Sequence, residues 1–196
     1  MTGKIRNPDP SPARCRIYST NTFQTMARFV AFLRGVSPMN LKMADLKRSV
    51  EEAGFTEVKT LLSSGNVVFD ARRGTEGSVC RAVEAGLVAV TGKSFSAFVR
   101  TTEELRAFIE ADPYSVHRLD PKAKRVVTFL RKPLENPPHL PISAYDASML
   151  ELRGRELLSC YVPGPKGPMF MSLIERTVGS DVTTRTWDTV RKCSVA

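Results

Sequence analysis

The chain has 196 residues, 42% of them hydrophobic and 25% charged, with a formal net charge of +9. That length suits one ordinary domain or two small subdomains sharing a core, and the apolar content is sufficient to build one. No apolar run approaches the roughly 18–20 residues of a membrane-spanning helix, and the N-terminus lacks the apolar stretch of a secretion signal, so the reading is of a cytoplasmic protein with no membrane partner.

Residues 1–25 place Lys4, Arg6, Arg14 and Arg16 among Pro8, Pro10 and Pro12, against the single acid Asp9. This segment cannot bury enough apolar surface to offset its chain entropy and reads as a disordered basic tail. It is either a working arm or the product of an upstream start codon, since the first strand opens near Met26. The tail contributes +3 of the charge and leaves +6 on the rest. Such a surplus favours anionic partners, nucleic acid among them, or serves solubility alone.

Arg28 to Leu33 is strand-like, and Pro38 breaks the chain before a helix. Met43, Leu46, Val50 and Ala53 recur on one helical face that Gly54 terminates. Glu57–Leu62 and Val67–Phe69 are strands joined by the Ser63–Asn66 turn. Val79, Val83, Leu87 and Val90 mark a second helix closed by Gly92, and Ser94–Arg100 alternates as a fourth strand. The order βαββαβ is that of a ferredoxin-like unit.

Thr101 and Glu104 form a capping box for a helix carrying Leu105, Phe108 and Ile109, ended at Asp112-Pro113. Lys124–Leu130 is a strand. Four prolines between 131 and 147 leave room for a short helix at most, near Ala144. Met149–Leu152 and Glu156–Val162 form a hairpin across Arg153-Gly154-Arg155. Pro168 suits the first turn of a helix with Phe170, Leu173, Ile174 and Val178, ended by Gly179. A last helix, capped by Thr183 or Thr184, carries Trp187 and Val190. The fold class is α+β in two subdomains: residues 26–100 ferredoxin-like, and 101–196 a degraded version with an extra C-terminal helix. The halves show no sequence identity that would prove a duplication.

Cys15, Cys80, Cys160 and Cys193 are widely spaced and read as reduced thiols, neither a zinc site nor a disulfide framework. His117 and His139 lie apart in Pro-containing loops, which is weak material for a metal site or a triad. No metal and no cofactor is expected.

Arg34 follows a strand and precedes a helix, where it could grip a phosphate or carboxylate or form a structural ion pair. Only Gly35 accompanies it, and Pro38 removes a donor, so this is no dinucleotide fingerprint. Ser63-Ser64-Gly65-Asn66 reads first as a turn, with nothing beside Ser64 in sequence to activate it. Val162–Pro168 lacks the spacing of a phosphate loop and reads as a rigid connector that could offer Lys166 to an anion. Arg185 lies in a segment dense with hydrogen-bonding threonines, beside Trp187, which reads as a latch for the last helix. The aromatic platform of an RNA-recognition motif is missing.

Phe29-Val-Ala-Phe-Leu-Arg-Gly-Val36, Lys42-Met-Ala-Asp-Leu46, Ala53-Gly-Phe-Thr-Glu-Val58, Ser64-Gly-Asn-Val-Val-Phe69 and Thr183-Thr-Arg-Thr-Trp-Asp-Thr189 together resemble a bacterial family called domain of unknown function 1697. The resemblance extends over about residues 26–193 and implies two ferredoxin-related α+β subdomains without an established activity. It implies Arg34, Gly35, Ser64, Gly65, Asn66, Thr184, Arg185 and Trp187 as a shared polar set. The chain departs from the family pattern at Ser37-Pro38-Met39-Asn40, where the family has Asn-Val-Gly-Gly, and in the proline-rich crossover of the second half.

Three functions follow as expectations. The leading one is a binding protein for a small anionic or nucleotide-like ligand, held between the subdomains by Arg34, Gly35, Ser64, Gly65, Asn66 and Arg185. The second is non-specific nucleic-acid binding through a basic surface. The third is a metal-independent enzyme using Ser, Thr or Asp, with no catalytic residue identifiable. Oligomeric state is open.

Overall fold

The computed structural model describes residues 26–72, 74–144, 146–164 and 169–196. The basic tail, Lys166 and the helix-starting role of Pro168 lie outside the described residues. The elements run β1 (Met26–Leu33), α1 (Met43–Glu52), β2 (Thr56–Leu61), β3 (Asn66–Arg72), α2 (Glu76–Thr91), β4 (Ala97–Thr101), α3 (Thr102–Glu110), β5 (Lys124–Leu130), β6 (Ile142–Ala144), β7 (Ala147–Arg153), β8 (Glu156–Tyr161), α4 (Phe170–Val178), β9 (Val182–Thr186) and α5 (Trp187–Ser194). The fold is α+β, and no described helix is long and apolar enough to cross a membrane.

The first four strands form a sheet of order β2-β3-β1-β4 with every pair antiparallel, which is the ferredoxin-like arrangement. The other five form a second sheet of order β6-β7-β8-β5-β9. Without its edge strand β6, that order reproduces the first: β5 stands for β1, β7 for β2, β8 for β3 and β9 for β4. The registers agree as well. Phe32 faces Asn66 where Phe129 faces Glu156, and Val30 faces Arg100 where Val127 faces Arg185. Each half also has a break in register along equivalent strands, in β2 between Thr56 and Lys59 and in β7 between Met149 and Glu151.

Packing is sheet against sheet. Phe29, Ala31 and Leu33 of β1 point to α1 and α2, while Val30 and Phe32 point to the second sheet. Both faces of the strand are therefore buried, which explains why its sequence is apolar without a break. Val127, Phe129 and Leu158 complete the layer between the sheets, and Leu105, Trp187 and Val190 close its side. The Phe32 and Phe129 rings stack there, centroids 4.5 Å apart. On the far side, Ile174 and Val178 of α4 cover Leu130, Met149, Leu157 and Val182.

The capping box of α3 is complete: Thr101 accepts from the Glu104 N–H, and Glu104 accepts in return from the Thr101 N–H. Three expectations need correction. The segment near Ala144 is the edge strand β6, not a helix; it follows Pro141 and, among the described residues, pairs only with β7, which suits a short strand after a proline. Thr183 and Thr184 lie within β9, because their β-branched side chains fit a strand, and Thr186 caps α5 by accepting from the Thr189 N–H. Asn66 is no turn residue; it opens β3 and is fully buried.

The halves also share sequence once the strands are aligned. Arg28-Phe-Val-Ala-Phe-Leu-Arg34 and Arg125-Val-Val-Thr-Phe-Leu-Arg131 carry Arg, Val, Phe, Leu and Arg at matching places. Arg100-Thr101 and Arg185-Thr186 each end the last strand of a half and open a helix.

Candidate functional site

Four arginines cross between the halves in a reciprocal pattern. From β4, Arg100 donates through Nε to Glu156 Oε1 at 2.6 Å and through Nη2 to the Leu130 carbonyl at 2.8 Å. From β9, Arg185 donates through Nε to Asn66 Oδ1 at 2.6 Å and through Nη2 to the Leu33 carbonyl at 2.6 Å. Arg131 reaches Glu84 and the Ala97 carbonyl; Arg34 reaches Glu175 and the Val182 carbonyl. Each of the inner pair also lies over a ring of the stacked phenylalanines, Arg100 over Phe129 and Arg185 over Phe32.

The local sequence explains how the Arg185 end is assembled. Gly65 has φ +73°, a region disfavoured for residues with a Cβ, and an added Cβ would lie 2.8 Å from Val36 Cβ. The bare backbone lets the turn close on the end of β1, where the Leu33 N–H donates to the Gly65 carbonyl at 2.8 Å. Asn66 Nδ2 donates to the Leu61 carbonyl and to Ser64 Oγ, both at 3.0 Å, which fixes Oδ1 toward Arg185. Gly35 has φ +71°, and Asn40 ties the following loop by donating to the Gly35 carbonyl and accepting from the Ser37 N–H.

A cleft of about 370 Å³ lies beside this network, lined by Arg34 and Gly35 from the first half and by residues of β9, β8 and α4, including Thr184, Arg185, Tyr161 and Phe170. Tyr161 and Phe170 stack in parallel, centroids 4.3 Å apart with 4° between planes. Arg34, Gly35 and Arg185 thus border one cleft. Ser64, Gly65 and Asn66 do not line it; they stand behind Arg185 and hold its guanidinium through Asn66 Oδ1 and the Ser64 carbonyl.

The electrostatics of the two ends differ. Arg100, only 3% exposed, has the Glu156 carboxylate. Arg185 has five neutral acceptors: Asn66 Oδ1, Thr183 Oγ1 and the Thr184, Leu33 and Ser64 carbonyls. Burial without a carboxylate pushes its guanidinium down to about 10. Arg34 is paired with Glu175 at 2.9 Å, the structural ion pair that its position also allowed.

Among the described residues no group of three or more His, Cys, Asp or Glu side chains could hold a metal ion. His117 lies 3.5 Å from Glu151 and far in sequence from the network. Sequence reasoning missed Arg100, Arg131 and Glu156; the repeated Arg-Thr before a helix and the repeated Phe-Leu-Arg were the signals that could have found them.

The model of the family described as "Protein of unknown function (DUF1697)" matches residues 26–157, and the chain belongs to that family. The match ends before the Thr183–Thr189 motif. Among solved structures the chain is similar to conserved bacterial protein SP0830 from Streptococcus pneumoniae, with a TM-score of 0.62 and 15% identity over 87% of this chain and 98% of that one. That likeness is one of fold. No curated protein matches the chain.

Proposed function

We propose that the protein binds a small anionic, nucleotide-like ligand in the cleft bordered by Arg34, Gly35 and Arg185, with residues 26–100 and 101–196 acting as the two subdomains on either side. The observation that carries this reading is Arg185: a guanidinium bonded, among the described residues, only to neutral oxygens, at the wall of a cleft, where the equivalent Arg100 has a carboxylate. A desolvated cation without a counter-charge is costly, and an anion nearby offsets that cost.

The parts have separate tasks. All five N–H groups of Arg185 are engaged by the acceptors named above, so it contributes field and not direct bonds. Arg34 uses two of its atoms on Glu175 and Val182 and is half-exposed, so its remaining N–H groups are the donors for an anion. The Tyr161–Phe170 pair supplies a flat apolar wall for a ring.

Equilibrium dialysis with adenosine monophosphate and inorganic phosphate tests this. Binding of both is expected, with Arg34→Met weakening both and Phe170→Ala weakening only the nucleotide. Affinities unchanged by either substitution would remove the cleft as the site.

A further inference from the structure

The two ends of the inter-sheet network are built alike and charged differently. At the Arg100 end, Arg100, Arg131 and Arg155 meet the carboxylates of Glu156, Glu84, Asp181 and Glu76. At the Arg185 end, Arg34 and Arg185 meet only Glu175 among the carboxylates of the described residues. One charge of that difference lies at a pair of equivalent positions: Glu156 opens β8, Asn66 opens β3, and each accepts an arginine Nε at 2.6 Å. The bond is the same; the charge is not.

We infer that Asn66 is the specificity-determining residue of the cleft, an amide standing where its counterpart is a carboxylate, so that the Arg185 end admits anions and the Arg100 end does not. The inference rests on the anion-binding reading of the cleft given above. Asn66 acts as a positioning and charge-setting residue: it is fully buried and lies behind Arg185, outside the cleft lining. Its two Nδ2 bonds, to the Leu61 carbonyl and Ser64 Oγ, are ones a carboxylate could not donate, so the site is built for the amide. With a carboxylate there, Arg185 would be neutralised as Arg100 is, and the only positive group left at the cleft would be Arg34, already paired.

The test is calorimetric titration of the full chain at low salt with adenosine monophosphate and with inorganic phosphate, comparing Asn66→Asp with the unmodified protein. Asn66→Asp is expected to weaken both ligands about tenfold or more, the scale of cancelling one charge within roughly a Debye length of the anion. Removing the competing carboxylate as well, in Asn66→Asp with Glu175→Gln, is expected to restore most of that affinity, because it returns the net charge of this end to its original value. Glu156→Gln makes the reverse change at the other end and is expected to leave both affinities as they were.

If the unmodified protein binds and Asn66→Asp binds equally well, Asn66 does not set specificity while the cleft reading stands. If Asn66→Asp binds weakly and the double variant does not recover, the loss is structural and the inference fails. If the unmodified protein binds neither probe, the cleft reading fails and this inference falls with it.

Discussion

Arg100 and Arg185 are equivalent residues of the two halves, each reaching across to a residue that opens the third strand of the other half, and only Arg100 finds a carboxylate there. The consequence for stability can be measured. Glu156→Ala would leave a guanidinium that is 3% exposed without its counter-charge, a loss of about 3–5 kcal/mol. Asn66→Ala removes one neutral acceptor from Arg185 and frees the Leu61 carbonyl, a loss of about 1–3 kcal/mol. Urea unfolding midpoints at unchanged slope give both values. A Glu156→Ala loss no greater than that of Asn66→Ala would mean that the Arg100 ion pair adds nothing beyond a hydrogen bond.

Gly65 is held by two constraints at once, a φ of +73° and the approach of Val36. Gly65→Ala is expected to cost more than about 1 kcal/mol, since the alanine gains no unfolded-state advantage at a conformation it cannot adopt without strain. Combining it with Val36→Gly, which removes the Cβ that the new methyl would meet, separates the two constraints: the clash should be relieved and the backbone cost should persist. A neutral Gly65→Ala would show that the turn can move away from β1, and would loosen the case that Asn66 is rigidly placed.

The Phe32–Phe129 stack joins the two sheets at the centre of their shared layer. Either truncation to alanine is expected to cost about 3–5 kcal/mol, because both rings are fully buried. In a double-mutant cycle the two should couple by about 0.5–1.5 kcal/mol, the range of aromatic pairs in contact. Additive losses would mean that the sheets are joined by general burial and that the ring pair adds nothing of its own.

Much of this architecture is written in local patterns. Leu46 and Val50 lie on the buried face of α1, and the alternation in β1 sorts Phe29, Ala31 and Leu33 from Val30 and Phe32. The strand β9 escaped because Val182-Thr-Thr-Arg-Thr186 has no apolar alternation; it is buried by its neighbours, and its threonines make bonds such as Thr128 Oγ1 to Thr184 Oγ1 at 2.7 Å. With β9 unread, the repeat of the first half was incomplete and its meaning hidden. The site was legible only as residue types. Arg34 and Arg185 are 151 positions apart and meet through carbonyls of Leu33 and Val182, acceptors that leave no trace in side-chain identity. Nor could spacing show that Glu156 and Asn66 occupy equivalent places, since that follows from strand register alone.

The capping box of α3 gives a prediction in pH. Burial of the Glu104 carboxyl works against its ionisation, but bonds from the Thr101 N–H and hydroxyl, then one with the Glu76 carboxyl and the Arg155 charge, prevail and hold it below the ordinary glutamate value. An acid that is easier to ionise in the folded state stabilises the fold wherever it is charged in both states. That contribution is complete above the unfolded value of about 4.3 and is lost as pH falls through the lower folded value. Glu104→Gln keeps the shape of the box without the charge. The unmodified protein should therefore be the more stable of the two at neutral pH, with the gap constant down to about pH 5 and closing below about pH 4. Thermal unfolding of both across pH 3–7 measures it. A gap of the same size at pH 3 and pH 7 would place the benefit of Glu104 in its hydrogen-bonding shape, leaving its charge without effect on the start of α3.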